Sequence, residues 1–236
     1  MKAHMYTLAA LALTAAAADT ALAQLNVSHQ SRRISGMSSS TAGGITDDQG
    51  PFSNAPAPND LGVWNGDLTL PGFISGSASQ SGGYDGDSTI RLDALTINLG
   101  GGNGPDTSAN STLTNEFTYG FTIDTASTFT LDANFACAGP GGPPLTVVDF
   151  SVVLRLIGPS GDVFNYATAP ENGFSVTLVG AQGIVEPGSY TLSLVASGFA
   201  SFIATPDMSG GNSAGGGAGG TSPIMVFTIG GPACPA

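Results

Sequence analysis

The chain has 236 residues, of which Gly and Pro make up 50, about 21 %, where an average chain carries roughly 12 %. Five cations, Lys2, Arg32, Arg33, Arg91 and Arg155, stand against 17 acids for a formal charge of −12, which excludes nucleic-acid binding because counterion release needs clustered Lys and Arg. A hydrophobic fraction of 41 % excludes wholesale disorder, and the shortage of Lys and Glu beside abundant Thr, Ser and Gly points to strands and turns.

Residues 1–23 have the three regions of a signal peptide: a short basic start at Lys2 and His4, an apolar run from Leu8 to Ala18, and the small residues Ala21-Leu22-Ala23 before Gln24. The run is too short to span a bilayer, which takes about 20 apolar residues. Cleavage there predicts a secreted or cell-surface product with no Lys, four Arg and a single His, His29. No later apolar stretch is long enough for a transmembrane segment, the longest being Ile224 to Ile229.

Residues 24–60 hold Ser38-Ser39-Ser40-Thr41, Gly43-Gly44, Asp47-Asp48 and Pro56-Ala57-Pro58 with no clear period, and are expected to form a flexible N-terminal arm that adds at most one edge strand. Residues 61–236 are expected to form the folded domain, best supported over 112–205. There the apolar residues alternate with polar ones, the mark of half-buried strands. Ile90, Leu92, Leu95, Ile97 and Leu99 alternate with a phase slip near Ala94 that predicts a bulge. Phe117, Tyr119, Phe121 and Ile123, a turn at Asp124 to Ser127, then Phe129, Leu131, Ala133 and Phe135 predict a hairpin with one face in the core.

Val148, Phe150, Val152, Leu154 and Leu156 predict another strand, with Arg155 on its outward face beside a carboxylate, up to the turn Pro159-Ser160-Gly161-Asp162. Strands over 163–167, 174–179 and 190–196 follow, the last after Glu186-Pro187-Gly188, and the glycine-rich stretch 209–222 is expected to be a flexible loop before a final strand at 224–229. Strands with turn signals every 8–12 residues predict an all-β fold, an antiparallel β-sandwich of jelly-roll type. Cys137 and Cys234 suit an oxidising compartment, where one bridge would tie the chain end to the body and stabilise it by about 4–5 kcal/mol in the chain-entropy model.

The runs Phe117 to Ile123, Phe129 to Leu131, Leu154 to Val163 and Glu186 to Leu192 resemble the jelly-roll sandwiches of bacterial secreted proteins, the pre-peptidase C-terminal type and the passengers of PEP-CTERM or choice-of-anchor proteins. The resemblance covers roughly 112–197 and implies a fold more than a function. Gly231 to Ala236, with Cys234-Pro235-Ala236, is similar to the start of the dockerin-like tail of planctomycete-type secreted proteins, whose Asp-rich calcium loops would follow Ala236.

Chemistry is sparse. A nucleophile triad would have to use His29, and zinc needs more His or Cys than the chain has. An acid-pair glycoside hydrolase has carboxylates enough, but no pair is marked by an aromatic platform, and the only Trp, Trp64, reads better as a core or sheet-face anchor than as a sugar-stacking residue. Calcium is the cofactor with a positive case: Asp85-Gly86-Asp87 sets two carboxylates in a glycine-rich loop, and Gly101-Gly102-Asn103-Gly104-Pro105-Asp106 fits the start of a calcium-binding β-roll repeat, with Asn103 and Asp106 as candidate ligands. Both stretches read better as plain turns. The sequence therefore predicts a secreted, non-catalytic sandwich, a structural or adhesive component of a surface or matrix or the passenger of an anchored protein, with a carbohydrate-binding module as the alternative. Its expected partners are polysaccharide or surface proteins, with self-association through the N-terminal arm.

Overall fold

The structure is a computed structural model that describes residues 25–42, 45–57, 60–71, 74–101, 107–138, 145–168, 175–203, 214–219 and 224–232. These residues form thirteen strands and no helix, all pairing antiparallel in two sheets. One sheet contains β1 (Asn26–Ala42), β2 (Ile45–Asn54), β6 (Thr107–Ile123), β8 (Leu145–Gly158), β9 (Gly161–Ala167) and β11 (Gly188–Ile203), in the order β2-β1-β6-β11-β8-β9. The other contains β3 (Trp64–Leu70), β4 (Ile74–Tyr84), β5 (Thr89–Gly101), β7 (Ser127–Ala138), β10 (Ser175–Val185), β12 (Ala214–Gly219) and β13 (Met225–Pro232). It runs β10-β7-β12-β5-β4-β3, and β13 shares the lane between β7 and β5: β12 pairs with Ile97 to Gly101, β13 with Thr89 to Leu92. No helix among the described residues is long and apolar enough to cross a membrane.

The two sheets face each other across one apolar core, so this is a β-sandwich, the architecture that period-two alternation demands. Phe117, Phe121, Leu192, Leu194, Leu154 and Leu156 of the first sheet meet Ile90, Leu92, Ile97, Leu131, Phe135 and Phe227 of the second. Aromatic rings link the layers, Phe121 lying 5.4 Å from Phe227 and 5.8 Å from Tyr190 between centroids, with Phe129 6.2 Å from Phe227. Where the chain crosses from β10 to β11, the Tyr190 hydroxyl donates to Glu186 O at 2.6 Å and fixes the corner. The expected phase slip is real: Ser81 pairs with Ala94 and Gly82 with Leu92, leaving Asp93 as the extra residue of a bulge.

Three sequence expectations are corrected. Residues 26–54 are not a free arm: β1 lies inside its sheet, in register with β6 from Asn26↔Thr122 to Ala42↔Thr107, and β2 covers its other side. The period was hidden because Arg32, Gly36 and Ser38 take inward positions beside Ile34 where apolar residues are usual. Second, β6 and β7 are not a hairpin. They share a turn but belong to opposite sheets, with their apolar faces stacked across the core, an arrangement that has the same alternation as a hairpin. Third, part of the 209–222 loop is strand β12. Residues 1–23, expected to be a signal peptide, lie outside the described residues.

Candidate functional site

The loop between β4 and β5 carries Asp85 and Asp87. The Asp85 carboxylate accepts the backbone N–H of Asp87 at 3.0 Å and of Thr89 at 3.2 Å, and Gly86 takes φ +97°, a conformation that disfavours any side chain there. The Tyr84 hydroxyl donates to Leu25 O and Asp87 O, so this turn seals the end of β1. Asn103 and Asp106 lie outside the described residues, and among those described no group of three or more His, Cys, Asp or Glu is placed to hold a metal ion. Cys137 is in β7 by its backbone, and Cys234, its expected partner, lies outside the described residues.

His29 stands exposed on the outer face of β1, its ring lying over Gly120 of β6, where a Cβ would collide with it. Arg155 pairs with Asp162 across the β8–β9 turn at 2.8 Å, both side chains well exposed, an interaction worth about 0.2–1 kcal/mol. Trp64 is on the core side of β3, folded over Gly66 and part-buried against the core.

The cation that matters most was unmarked in the sequence. Arg32, on the inward face of β1, is 2 % exposed. Its guanidinium donates to Gly62 O at 2.7 Å, Gly82 O at 2.8 Å, Asp60 O and Gln30 Oε1, and lies 5.6 Å from the Tyr119 ring centroid and 5.9 Å from that of Trp64. Burial pulls its pKa down, opposed by Tyr119 and Asp60. One planar cation thus joins β1, the 60–62 segment and β4, a convergence that only folding creates.

The same burial pushes the Tyr119 hydroxyl, which donates to Leu61 O at 3.1 Å, up to about 12. Folding therefore favours the neutral phenol: this stability is whole below pH 10 and declines as pH rises from 10 towards 12, by about 2–3 kcal/mol for a shift of that size. Tyr119→Phe is expected to lose about 1 kcal/mol at neutral pH and to show a shallower alkaline decline. Urea midpoints of both proteins from pH 8 to 12 check this, and parallel curves would overturn it.

A second polar link crosses the sandwich: Gln80 Nε2 of β4 donates to Asn115 Oδ1 of β6 at 2.6 Å and to Glu116 O at 2.9 Å, and Asn115 Nδ2 returns a bond to Ser79 O at 2.9 Å. The side chains of Gln80, Asn115 and Arg32 are enclosed by protein, while Asp60 and Gly62 of the Arg32 cluster lie in an exposed segment. The enclosed side chains position the sheets and offer no chemistry to solvent.

What faces solvent is the outer side of the first sheet. Register sets Met37, Thr112, Phe199 and Asp149 in one row across β1, β6, β11 and β8, with Ser35, Thr114, Ser197 and Ser151 in the next. Two rows on, Ser31, Thr118, Ser193 and Arg155 repeat the pattern. Strands lie about 4.8 Å apart and rows about 6.8 Å apart, so two rows rich in hydroxyls flank a row of Arg33, Glu116, Val195 and Val153. Phe199, 38 % exposed, borders a shallow depression with Thr112, Asp149, Ser151 and Ser197, and Met37, 57 % exposed, borders another with Arg33, Ser35 and Pro51. The outward Thr and Ser of β6, β8 and β11 were legible in the alternation, those of β1 were not, and their assembly into rows needed the strand order.

No family model and no curated protein matches the sequence. Among solved structures, the chain is similar to the enzymatically active domain of bacteriophage CBA120 tailspike protein 4, at 17 % identity and a TM-score of 0.22 over 60 % of this chain and 19 % of that one. It is also similar to the infectious bursal disease virus Gx strain structure, at 12 % identity and a TM-score of 0.20 over 89 % of this chain and 66 % of that one.

Proposed function

We propose that this chain is an exported, non-catalytic β-sandwich that serves as a structural or adhesive component of a cell surface or extracellular matrix, or as the passenger of an anchored protein. The observation that carries the reading is the hydroxyl array on the outer side of the first sheet. Rows of Ser and Thr engage hydroxylated or peptide surfaces through many weak hydrogen bonds, while two of the groups with displaced pKa values, Arg32 and Tyr119, are committed inside to holding strands together. The acidic balance keeps such a surface from self-precipitating. The second reading, a carbohydrate-binding module, is favoured by one feature: Phe199 is an exposed ring beside Asp149, Ser151 and Ser197, the mixture of aromatic face and polar edge that sugars need.

Binding to a glycan array and to immobilised matrix protein, each with and without EDTA, separates the two. Adhesion to matrix protein without selective glycan binding is expected. Selective glycan binding that falls about tenfold, or roughly 1.4 kcal/mol, in Phe199→Ala would replace the first reading with the second. Loss of binding in EDTA would assign calcium a role, and turnover of a glycoside or ester abolished by replacing one acid would overturn the non-catalytic reading.

A further inference from the structure

We propose that β10 is a docking edge for a second copy of this chain, the two β10 strands pairing antiparallel to join the second sheets of two molecules into one. This goes beyond the surface role above and does not depend on it. Sheet edges carry unpaired backbone donors and acceptors, and folded proteins blunt them with charges, Pro, bulges, shortness or cover.

Three of the four edges are blunted. β2 carries Asp47, Asp48 and Pro51, and Gln49 is tied to the Asp47 carboxylate at 2.9 Å. β9 has seven residues and holds Asp162 in its ion pair with Arg155. β3 also has seven, carries Asp67, and is met by β2, where Asn54 Nδ2 donates to Asp67 O at 2.7 Å.

Among the described residues β10 has none of these devices. It is eleven residues long, has no charge and no Pro, and pairs in unbroken register with β7 from Ser175↔Cys137 to Val185↔Ser127, while among the described residues no strand pairs with its other side. Val179 and Ala181 turn towards the core, while Gln182 and Ile184, the latter 59 % exposed, face outward.

Charge selects a second copy as a permissible occupant. Each molecule carries −12, so two copies can meet only where acids are kept apart. Antiparallel pairing about Gly180 sets Ser175 against Val185 and Val179 against Ala181 of the other copy, odd residues with odd, so both core-facing sides stay on one side of the joined sheet. Among the described residues, the nearest acids, Asp132 of each β7 opposite Gly180, are then three strand spacings apart, about 14 Å, beyond the Debye length of about 8 Å at physiological salt. A β2 pair would instead bring Asp47 and Asp48 of both copies within one or two spacings. The two-fold pairing is self-complementary and closes at a dimer.

Sedimentation of the exported chain over a concentration series is expected to show a monomer–dimer equilibrium. Gln182→Lys, at an exposed outward position, should weaken it about tenfold or more, whereas Gln49→Lys on the β2 edge should leave it unchanged. Gly180→Cys, where a Cβ has ordinary room 3.5 Å from the Asp132 carboxylate, should give a reducible covalent dimer on oxidation, because paired strands hold opposite Cα atoms about 4.5–5.5 Å apart. Ser53→Cys on β2 should not. A chain that stays monomeric throughout, or a dimer indifferent to Gln182→Lys, would overturn the proposal.

Discussion

Arg32→Met is expected to lower the unfolding free energy by about 3–5 kcal/mol, through the four charge-assisted hydrogen bonds it removes. Two contributions oppose each other at Arg32. Taking a guanidinium out of water costs several kcal/mol, and that cost is already met in the native state by donation to Gly62 O, Gly82 O, Asp60 O and Gln30 Oε1 and by the faces of Tyr119 and Trp64. Met fills much of the stem volume but leaves those carbonyls without their donor, each at about 1–3 kcal/mol where water cannot reach. Saved desolvation therefore recovers only part of the loss. Arg32→Lys keeps the charge but not the planar fork, so it should lose less than Met and still more than about 1 kcal/mol. Urea unfolding measures the difference, and amide exchange at Asp60 to Gly62 locates it: faster exchange confined to that segment is expected first. A Met variant within 1 kcal/mol of the parent would show that the guanidinium does not hold the segment.

Deleting residues 26–54 is expected to abolish the cooperative unfolding transition altogether. The deletion removes an internal strand and its covering edge strand, strips β6 of one complete ladder, and takes away Ile34 and Arg32 from the core. Tyr119 and Trp64 then face a void where the guanidinium stood. Ile34 alone, fully buried, would cost about 2–5 kcal/mol on truncation to Ala, a large share of the 5–15 kcal/mol that a domain usually has in reserve. Removing only Ile45 to Asn54 should be milder, because β2 is an edge strand with mostly exposed side chains. Circular dichroism melts of the two deletions against the parent decide this, and a compact monomer melting normally without 26–54 would restore the view of that segment as an appended arm. The same geometry argues against self-association by donation of this segment, since β1 would first have to give up its pairing with β6.

The candidate site was only partly legible. Thr118 and Thr122 announced an outward polar side of β6 and Arg155 an outward place on β8, because each alternates with large apolar neighbours. Phe199 gave no signal of its own: it breaks a Ser/Thr pattern on an outward face, which shows only once Gly198 and Ala200 are known to point inward. Asp85 and Asp87 lie in the expected turn, where one carboxylate accepts backbone N–H groups instead of standing free. Arg32 was invisible because its partners are backbone carbonyls from positions 28 to 50 residues away, and a carbonyl leaves no trace in residue identity.

By itself the sequence determined that this chain is all-β, where most strands run and turn, which side of β5 to β8 and of β11 is buried, and that a bulge interrupts β5. Those properties are local: alternation, turn chemistry and charge act within a few residues. Only the tertiary structure decided which strands pair. A buried face says that a strand needs a neighbour and a layer opposite, but the same face serves a hairpin or a crossing between sheets, as β6 and β7 demonstrate. It also decided that Ser, Gly and one Arg can occupy the inward face of an internal strand. There, backbone pairing with β6 and four hydrogen bonds from a single cation supply what apolar side chains normally would.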